Sequence, residues 1–460
     1  MLRLAAVGIA LGSIPTGATP PAVESDRLPR VSLLKLPAGV TAQYPRDERV
    51  QTTDESGRPA IGRVYVRAAD LSVVFLPDGQ LVQRKRHELS PTSRPFRVIR
   101  TTELIDRLKA EFPGMEVRAA SHYVLVSNTS ATFRDVTQRI LTTMHAGIRR
   151  YFKKQKIATH SPEFPLVVVM FRTRAEFDRH RRMAPEIAAY YSPWTNRIVL
   201  YEETPLFRVQ RQAAIGQTLS TIAHEGVHQI LHNIGVQTRL SKWPLWLGEG
   251  LAEFFAPTQL DRRMRWKGAG TVNDLRMLEL ESFIQAKAFD AEAGSMVRHT
   301  IGAAKLTSTG YASAWALTHY LATRRANDFD DLLRALVPLR PFETLGRPGN
   351  NGLVQANLDL FHHYMGDDDV ELERQLLLHL GRLPYRDPFA EFPKIVAIVR
   401  YRQQGRAAWR GNIFHDESSA RAWSNGLVKR LGADAGARIE LRVVPNRRAG
   451  QLLLRQLRGS

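Results

Sequence analysis

His224-Glu225-Gly226-Val227-His228 is the five-residue stretch around which the rest of this chain organises. No proline occurs from Gln212 to Ile234, and apolar residues recur at Ile215, Leu219, Ile222, Ala223, Val227, Ile230, Leu231 and Ile234. That three-and-four spacing predicts an amphipathic helix, with Gly235 as its stop. Two histidines four apart on a helix lie one turn above the other on the same face. Their ring nitrogens can meet one metal ion at about 2.0–2.1 Å. Because His224 and His228 each follow an apolar position, they flank the apolar stripe, at the edge of a core where a cleft can open.

A hydrolytic metal site needs a third protein ligand and an open position. Twenty residues separate His228 from Glu249, and the gap holds Gly235, Ser241 and Pro244, so the chain can turn and send a second helix back past the first. Leu247, Leu251, Phe254 and Phe255 give that helix an apolar side, and Pro257 ends it. Glu249 and Glu253 are one turn apart and share a face. Glu249 is the expected third ligand of a zinc ion. Glu253 is expected to accept from the outer N–H of a ligand histidine, His224, and so to fix its tautomer. Glu225 is the expected general base, taking a proton from a zinc-activated water and passing it to the leaving amine. His232 extends the histidine row by one more turn but has drifted around the helix, and reads as a solvated or core-edge residue.

With these residues placed, the chain resembles the gluzincin branch of the zincin metallopeptidases, the thermolysin-like and aminopeptidase-N-like enzymes. The segment Trp246-Leu247-Gly248-Glu249-Gly250-Leu251-Ala252-Glu253-Phe254 is similar to the Glu-Gly-x-Ala segment of the aminopeptidase-N-like group. More narrowly, the chain resembles a family of uncharacterised bacterial envelope proteins with a gluzincin domain. That likeness rests on Phe164–Phe171, Tyr190–Tyr201 and Tyr311–Leu317, and it covers roughly residues 60 to 380. The resemblance implies His224, His228 and Glu249 as ligands and Glu225 as base. It also implies a Tyr or His donor to the oxyanion of the tetrahedral intermediate, a contact that can be worth about 3–4 kcal/mol. Tyr311, opening a helix downstream, is the candidate, with His299 and Tyr191 as alternatives; Tyr311 and Trp315 also read as an i,i+4 core pair. The Gly-rich segment with which the exopeptidases of the group bind a free amino terminus is not evident, which favours an endopeptidase.

The chain has 460 residues, 43% of them hydrophobic and 24% charged, values of a globular protein with a sizeable core. Cysteine is absent, which excludes a disulfide framework. Arg3, the apolar run Leu4 to Ile14 and the small residues Gly17 and Ala18 read as an export signal; the expected location is therefore secreted, periplasmic or cell envelope. No run long and apolar enough to span a membrane follows that segment. The net charge is +20, and residues 400 to 460 hold thirteen basic and four acidic residues, so +9 of it lies there. A basic surface suits anionic partners, but no nucleic-acid motif accompanies the charge. The expected partner is a protein or peptide substrate; the C-terminal charge reads first as the solvated surface of an Arg-rich chain, with an anionic surface contact as the alternative.

The expected organisation is a signal peptide over 1–20, a linker over 21–60, a small β-rich region over 61–115, a gluzincin-like domain over 116–390 and a basic α/β appendage over 391–460. Leu166–Phe171 and Arg197–Tyr201 read as strands around a helix over Arg174–Met183. The last strand before the metal helix is expected to be the sheet edge, with Tyr190 to Asn196 as its rim. The fold class is α+β: a zincin-like catalytic domain with a mixed sheet and the His-Glu-x-x-His helix, then a helical subdomain. The leading expectation is zinc-dependent peptide-bond hydrolysis. The alternatives are an inactive gluzincin-fold binding protein and a basic protein that binds anionic polymers.

Overall fold

The computed structural model describes residues 41–185, 187–203, 211–257, 266, 268–287, 292–345 and 352–459. The expected signal peptide and the first half of the expected linker lie outside them. Among the described residues no helix is long and apolar enough to cross a membrane.

The chain starts with an antiparallel sheet of β1 (Arg49–Thr53), β2 (Pro59–Ala68), β3 (Leu71–Phe75), β4 (Leu81–Lys85) and the two-residue β5 (Ser90–Pro91), in the order β4-β3-β2-β1-β5. β1 is a departure from expectation, since 21–60 read as linker. Its alternation is short, but Val50 is fully buried against Val64, Val74 and Val82, and Arg49–Thr53 pairs residue for residue with β2.

After α1 (Thr101–Glu111) comes a mixed sheet of β6 (Glu116–Ala120), β7 (Tyr123–Ser127), β8 (Leu166–Phe171), β9 (Ala189–Ser192) and β10 (Arg197–Tyr201). Its order is β6-β7-β8-β10-β9; β7, β8 and β10 run parallel, and β6 and β9 are antiparallel at the edges. α2 (Ala131–Lys154) connects β7 to β8, and α3 (Arg174–His180) follows β8. Strands covered on both faces carry continuous apolar runs, and the Leu-Val-Val-Val-Met-Phe of β8 is one. Leu166, Val168 and Met170 face a large core shared with Ile140 and Met144 of α2, while Val167, Val169 and Phe171 face a second core with Leu104 and Leu108 of α1 and Phe177 of α3. The mixed sheet and the α+β class agree with expectation, but β10 is interior. The edge is β9, whose four residues carry too little pattern to be read as a strand. α3 also stops at His180, short of the expected Met183, because the next residues wrap around the Arg174 guanidinium, which donates to the carbonyls of Met183, Ala184, Pro185 and Ile187.

The remaining helices are α4 (Arg211–Asn233), α5 (Leu245–Phe255), α6 (Asp274–Lys287), α7 (Ser295–Gly302), α8 (Ser308–Arg324), α9 (Ala326–Leu336), α10 (Gly352–Met365) and α11 (Asp369–Gly381). Gly235 ends α4 with φ +86°, a conformation that an L side chain rarely adopts. Gly250 lets α5 and α8 touch: a Cβ there would lie 2.1 Å from the Thr318 hydroxyl and 2.7 Å from the Ala314 carbonyl.

The C-terminal part is a three-stranded antiparallel sheet, order β12-β11-β13, of β11 (Lys394–Gln403), β12 (Arg406–Phe414) and β13 (Arg438–Val444). α12 (Glu417–Leu431) covers one face through Ala420, Trp423 and Leu427, and α13 (Arg447–Gly459) lies against the other through Leu453, Leu454 and Leu457. Arg447 forks onto Glu281 of α6, at 2.6 and 3.0 Å, and reaches Asp387, tying this unit to the helical part.

Candidate metal centre

α4 and α5 pack together inside the main core, and both project polar side chains into it. His224 and His228 come from α4, and Glu249 comes from α5. His224 Nε2 lies 3.2 Å from His228 Nε2 and 3.1 Å from Glu249 Oε2, and His228 Nε2 lies 3.6 Å from the same oxygen. Donor atoms spread tetrahedrally around an ion at about 2.0–2.1 Å would stand roughly 3.3–3.5 Å apart. The three observed separations straddle that value, so the two imidazoles and the carboxylate fit a single metal ion, and they are the group among the described residues that could hold one. Glu249 Oε1 is buried and has no hydrogen-bond partner, as a carboxylate reserved for another ligand would be.

The position of the group departs from expectation. His224, Glu225, His228 and Glu249 are each only 1–3% exposed, so the histidines stand inside the core rather than at its edge. Burying so many charges is costly unless they are matched. Burial works to lower the basicity of His224, but the carboxylates of Glu253 and Glu249 outweigh it and raise its pKa to about 10. Burial works to raise that of Glu249, but His228 and His224 outweigh it and hold it at about 2. Both shifts describe a cage that attracts positive charge.

Glu253 lies behind His224, with Oε1 3.0 Å from Nδ1, the outer nitrogen of the ring; the two atoms are at ion-pair distance without hydrogen-bond alignment. Arg276 donates to the same Oε1 at 2.7 Å, and Asn273 Nδ2 donates to Oε2 at 2.9 Å. Arg276 also donates to Glu279, which takes a second bond from the Ser308 hydroxyl. The His224–Glu253–Arg276–Glu279 row therefore runs from α4 through α5 into α6. Burial is opposed and overcome by Arg276 at Glu253, whose carboxyl is held far below the usual carboxylate range. Neither Arg276 nor Asn273 was apparent as a site residue. One signal did exist: Arg276 falls in the first turn of its helix, where the helix dipole disfavours a cation and a carboxylate partner is needed.

Glu225 turns to the sheet. Its Oε2 accepts the backbone N–H of Tyr191 in β9 at 2.6 Å, and its Oε1 is buried without a partner. Burial pushes its carboxyl up, while His224 and His228 pull the other way. Tyr311, on α8, has its ring 6.2 Å from that of His224 and beneath the Arg276 guanidinium at 5.3 Å. Burial first, then the charges of Glu249, Glu225 and Glu253, push its hydroxyl well up, so it stays protonated and a donor. Of the alternatives, His299 is exposed on α7 and lies outside this buried group, and Tyr191 contributes its backbone while its hydroxyl turns to Asn196. His232 is not among the three grouped donors; its ring stacks on Tyr191 at 5.4 Å.

No curated protein matches the chain. Over residues 218–343, a span that begins six residues before His224 and includes Glu249, Arg276 and Tyr311, the chain matches the family model described as "Protein of unknown function (DUF1570)".

Proposed function

We propose that the chain is a zinc metallopeptidase of gluzincin type, cleaving protein or peptide in the cell envelope or outside the cell. The observation that carries the reading is the triangle of His224, His228 and Glu249 donor atoms with the unpartnered Glu225 Oε1 on the adjacent α4 residue. A divalent ion held there supplies an acidified water and a Lewis acid for a carbonyl. His224, His228 and Glu249 would hold it; three protein ligands leave one position open, as catalytic sites do and closed structural sites do not. Glu225 would take and return the proton. Its burial favours the protonated form, which suits a group that must accept a proton at neutral pH and release it to a leaving amine. Tyr311 would donate to the developing oxyanion. The envelope setting rests on the N-terminal stretch read above as an export signal.

The near-complete burial of the four residues favours one second reading, a metal centre that stabilises a binding protein. Elemental analysis and digestion of a peptide library by zinc-loaded protein, beside Glu225→Gln, separate the two. About one zinc per chain is expected in both proteins, with cleavage only by the parent. Equal cleavage by Glu225→Gln would remove Glu225 from the mechanism, and zinc without any cleavage would leave the binding reading.

A further inference from the structure

α4 carries a second polar row beside its histidines. Glu225, Gln229 and Asn233 follow one another at four-residue intervals, and all three are buried. Their partners lie on the β9–β10 hairpin and β8. Gln229 Nε2 donates to the carbonyls of Asn196, at 2.8 Å, and Val167, at 3.1 Å. Asn233 and Asn196 exchange side-chain hydrogen bonds of 2.7 and 2.9 Å, and the Tyr191 hydroxyl donates to Asn196 Oδ1 at 2.9 Å. Asn196 turns the hairpin in the left-handed region, φ +57°, which asparagine tolerates better than most residues. From the far side, Arg239 donates to the carbonyls of Pro193, at 2.7 Å, and Trp194.

We infer that Tyr191, Asn196, Gln229 and Asn233 are positioning residues for Glu225: they dock the β9–β10 hairpin on α4 in one register, so that the Tyr191 N–H holds one oxygen of Glu225 and leaves the other to work. Apolar side chains would fill the same space without the cost of burying amides. They would not select a register, because an apolar strand slides with little change in contact, whereas these bonds form in one alignment only. A slip of one residue would turn the N–H at that position toward β10 and leave Glu225 without its donor. Fixing a carboxylate's orientation before reaction is a large part of what a catalytic site contributes.

The inference deepens the peptidase reading and rests on it for the role of Glu225, so its test has an arm independent of turnover. Zinc-loaded full-length parent, Asn233→Ala and Tyr191→Phe are compared in three measurements: hydrogen exchange of the 189–196 segment by mass spectrometry, zinc per chain, and kcat and KM on a peptide the parent cleaves. In Asn233→Ala, exchange over 189–196 is expected to quicken roughly 10-fold, the equivalent of one or two lost hydrogen bonds. Zinc is expected to stay at the parental level, and kcat to fall by about 10- to 100-fold with KM nearly unchanged. Tyr191→Phe keeps the ring stack on His232 and loses one bond, so it should move the same way by less; it also carries the comparison if Asn233→Ala fails to fold. Unaltered exchange over 189–196 in a folded variant would overturn the inference, as would a loss of kcat that follows a loss of zinc. A parent that cleaves no peptide would sink the peptidase reading instead, and exchange would still judge the network.

Discussion

The α4–α5 region and the C-terminal sheet handle charge in opposite ways. Around α4 and α5, charged and amide side chains sit inside the core and are matched one to another: His224 to Glu253, Glu253 to Arg276, Asn233 to Asn196. In the C-terminal unit the two faces of the sheet meet α12 and α13 through apolar residues, while Arg421, Arg438 and Arg442 stand at the surface. The second arrangement is the ordinary one, since ionised groups are rarely buried unless paired. The first is expensive, because well-packed apolar residues of similar volume often stabilise a core as well or better. The α4–α5 region thus concentrates buried, matched charge, whereas the basic C-terminal sheet buries Lys394, which donates to the Phe389 and Phe392 carbonyls, and leaves most of its other charges solvated.

Two measurements would break or sharpen that contrast, and a third tests a buried imidazole on α2, beside α4. The largest effect is expected from Arg276→Met, which leaves Glu253 buried beside His224 without its cation. Removing one partner of a buried ion pair typically costs about 3–5 kcal/mol. Denaturant unfolding should register the loss, and metal competition with a chelator should show weaker binding, by about 10- to 100-fold for a disturbed outer partner. A midpoint equal to that of the parent would mean that the matched row stabilises nothing.

An intermediate effect is expected from pH. Burial first, then the nearby charges of His122 and Arg149, lower the pKa of His145 on α2 from 6.5 to about 4. The folded state thus binds its proton less readily than the unfolded chain does. The stability this neutral imidazole contributes is complete above pH 6.5 and is lost as pH falls from there through 4, because the unfolded chain takes up the proton first. Unfolding midpoints should drop across that window, and the drop should be smaller in His145→Phe. Parallel curves for the two proteins would exclude His145 as a source of acid sensitivity.

The smallest effect belongs to the C-terminal unit. Arg421 pairs with Glu417 on the exposed face of α12, one turn apart. Arg421→Ala should change stability by no more than about 0.5 kcal/mol, the usual worth of an exposed i,i+4 pair. A loss comparable to that of Arg276→Met would erase the distinction between the two regions.

Much of the candidate centre was legible because helical geometry is local. Residues four apart share a face, so His224 with His228, and Glu249 with Glu253, could be paired before any fold was known. Long helices such as α2, Ala131–Lys154, repeat that spacing over many turns, with Ile140, Met144, Ile148 and Tyr151 on one side. Short elements were not: β6, β9 and α7 carry too few periods to stand out. The α13 row of Ala449, Leu453 and Leu457 does recur at helical spacing and was legible in principle. Long-range partners were invisible, since nothing near Glu253 in sequence points to Arg276, and nothing near Glu225 points to the N–H of Tyr191.

The sequence by itself determined which side chains could ligate a metal, because their spacing on two helices is a property of the backbone hydrogen-bond repeat. Only the tertiary structure decided that the two helices bring those side chains within 3.1–3.6 Å of one another, that they are sealed in the core, and that β9 rather than β10 forms the sheet edge above Glu225. The reason is that helix packing, strand order and burial are set by contacts between residues far apart in the chain. Their energies depend on the whole core, and no local window contains them.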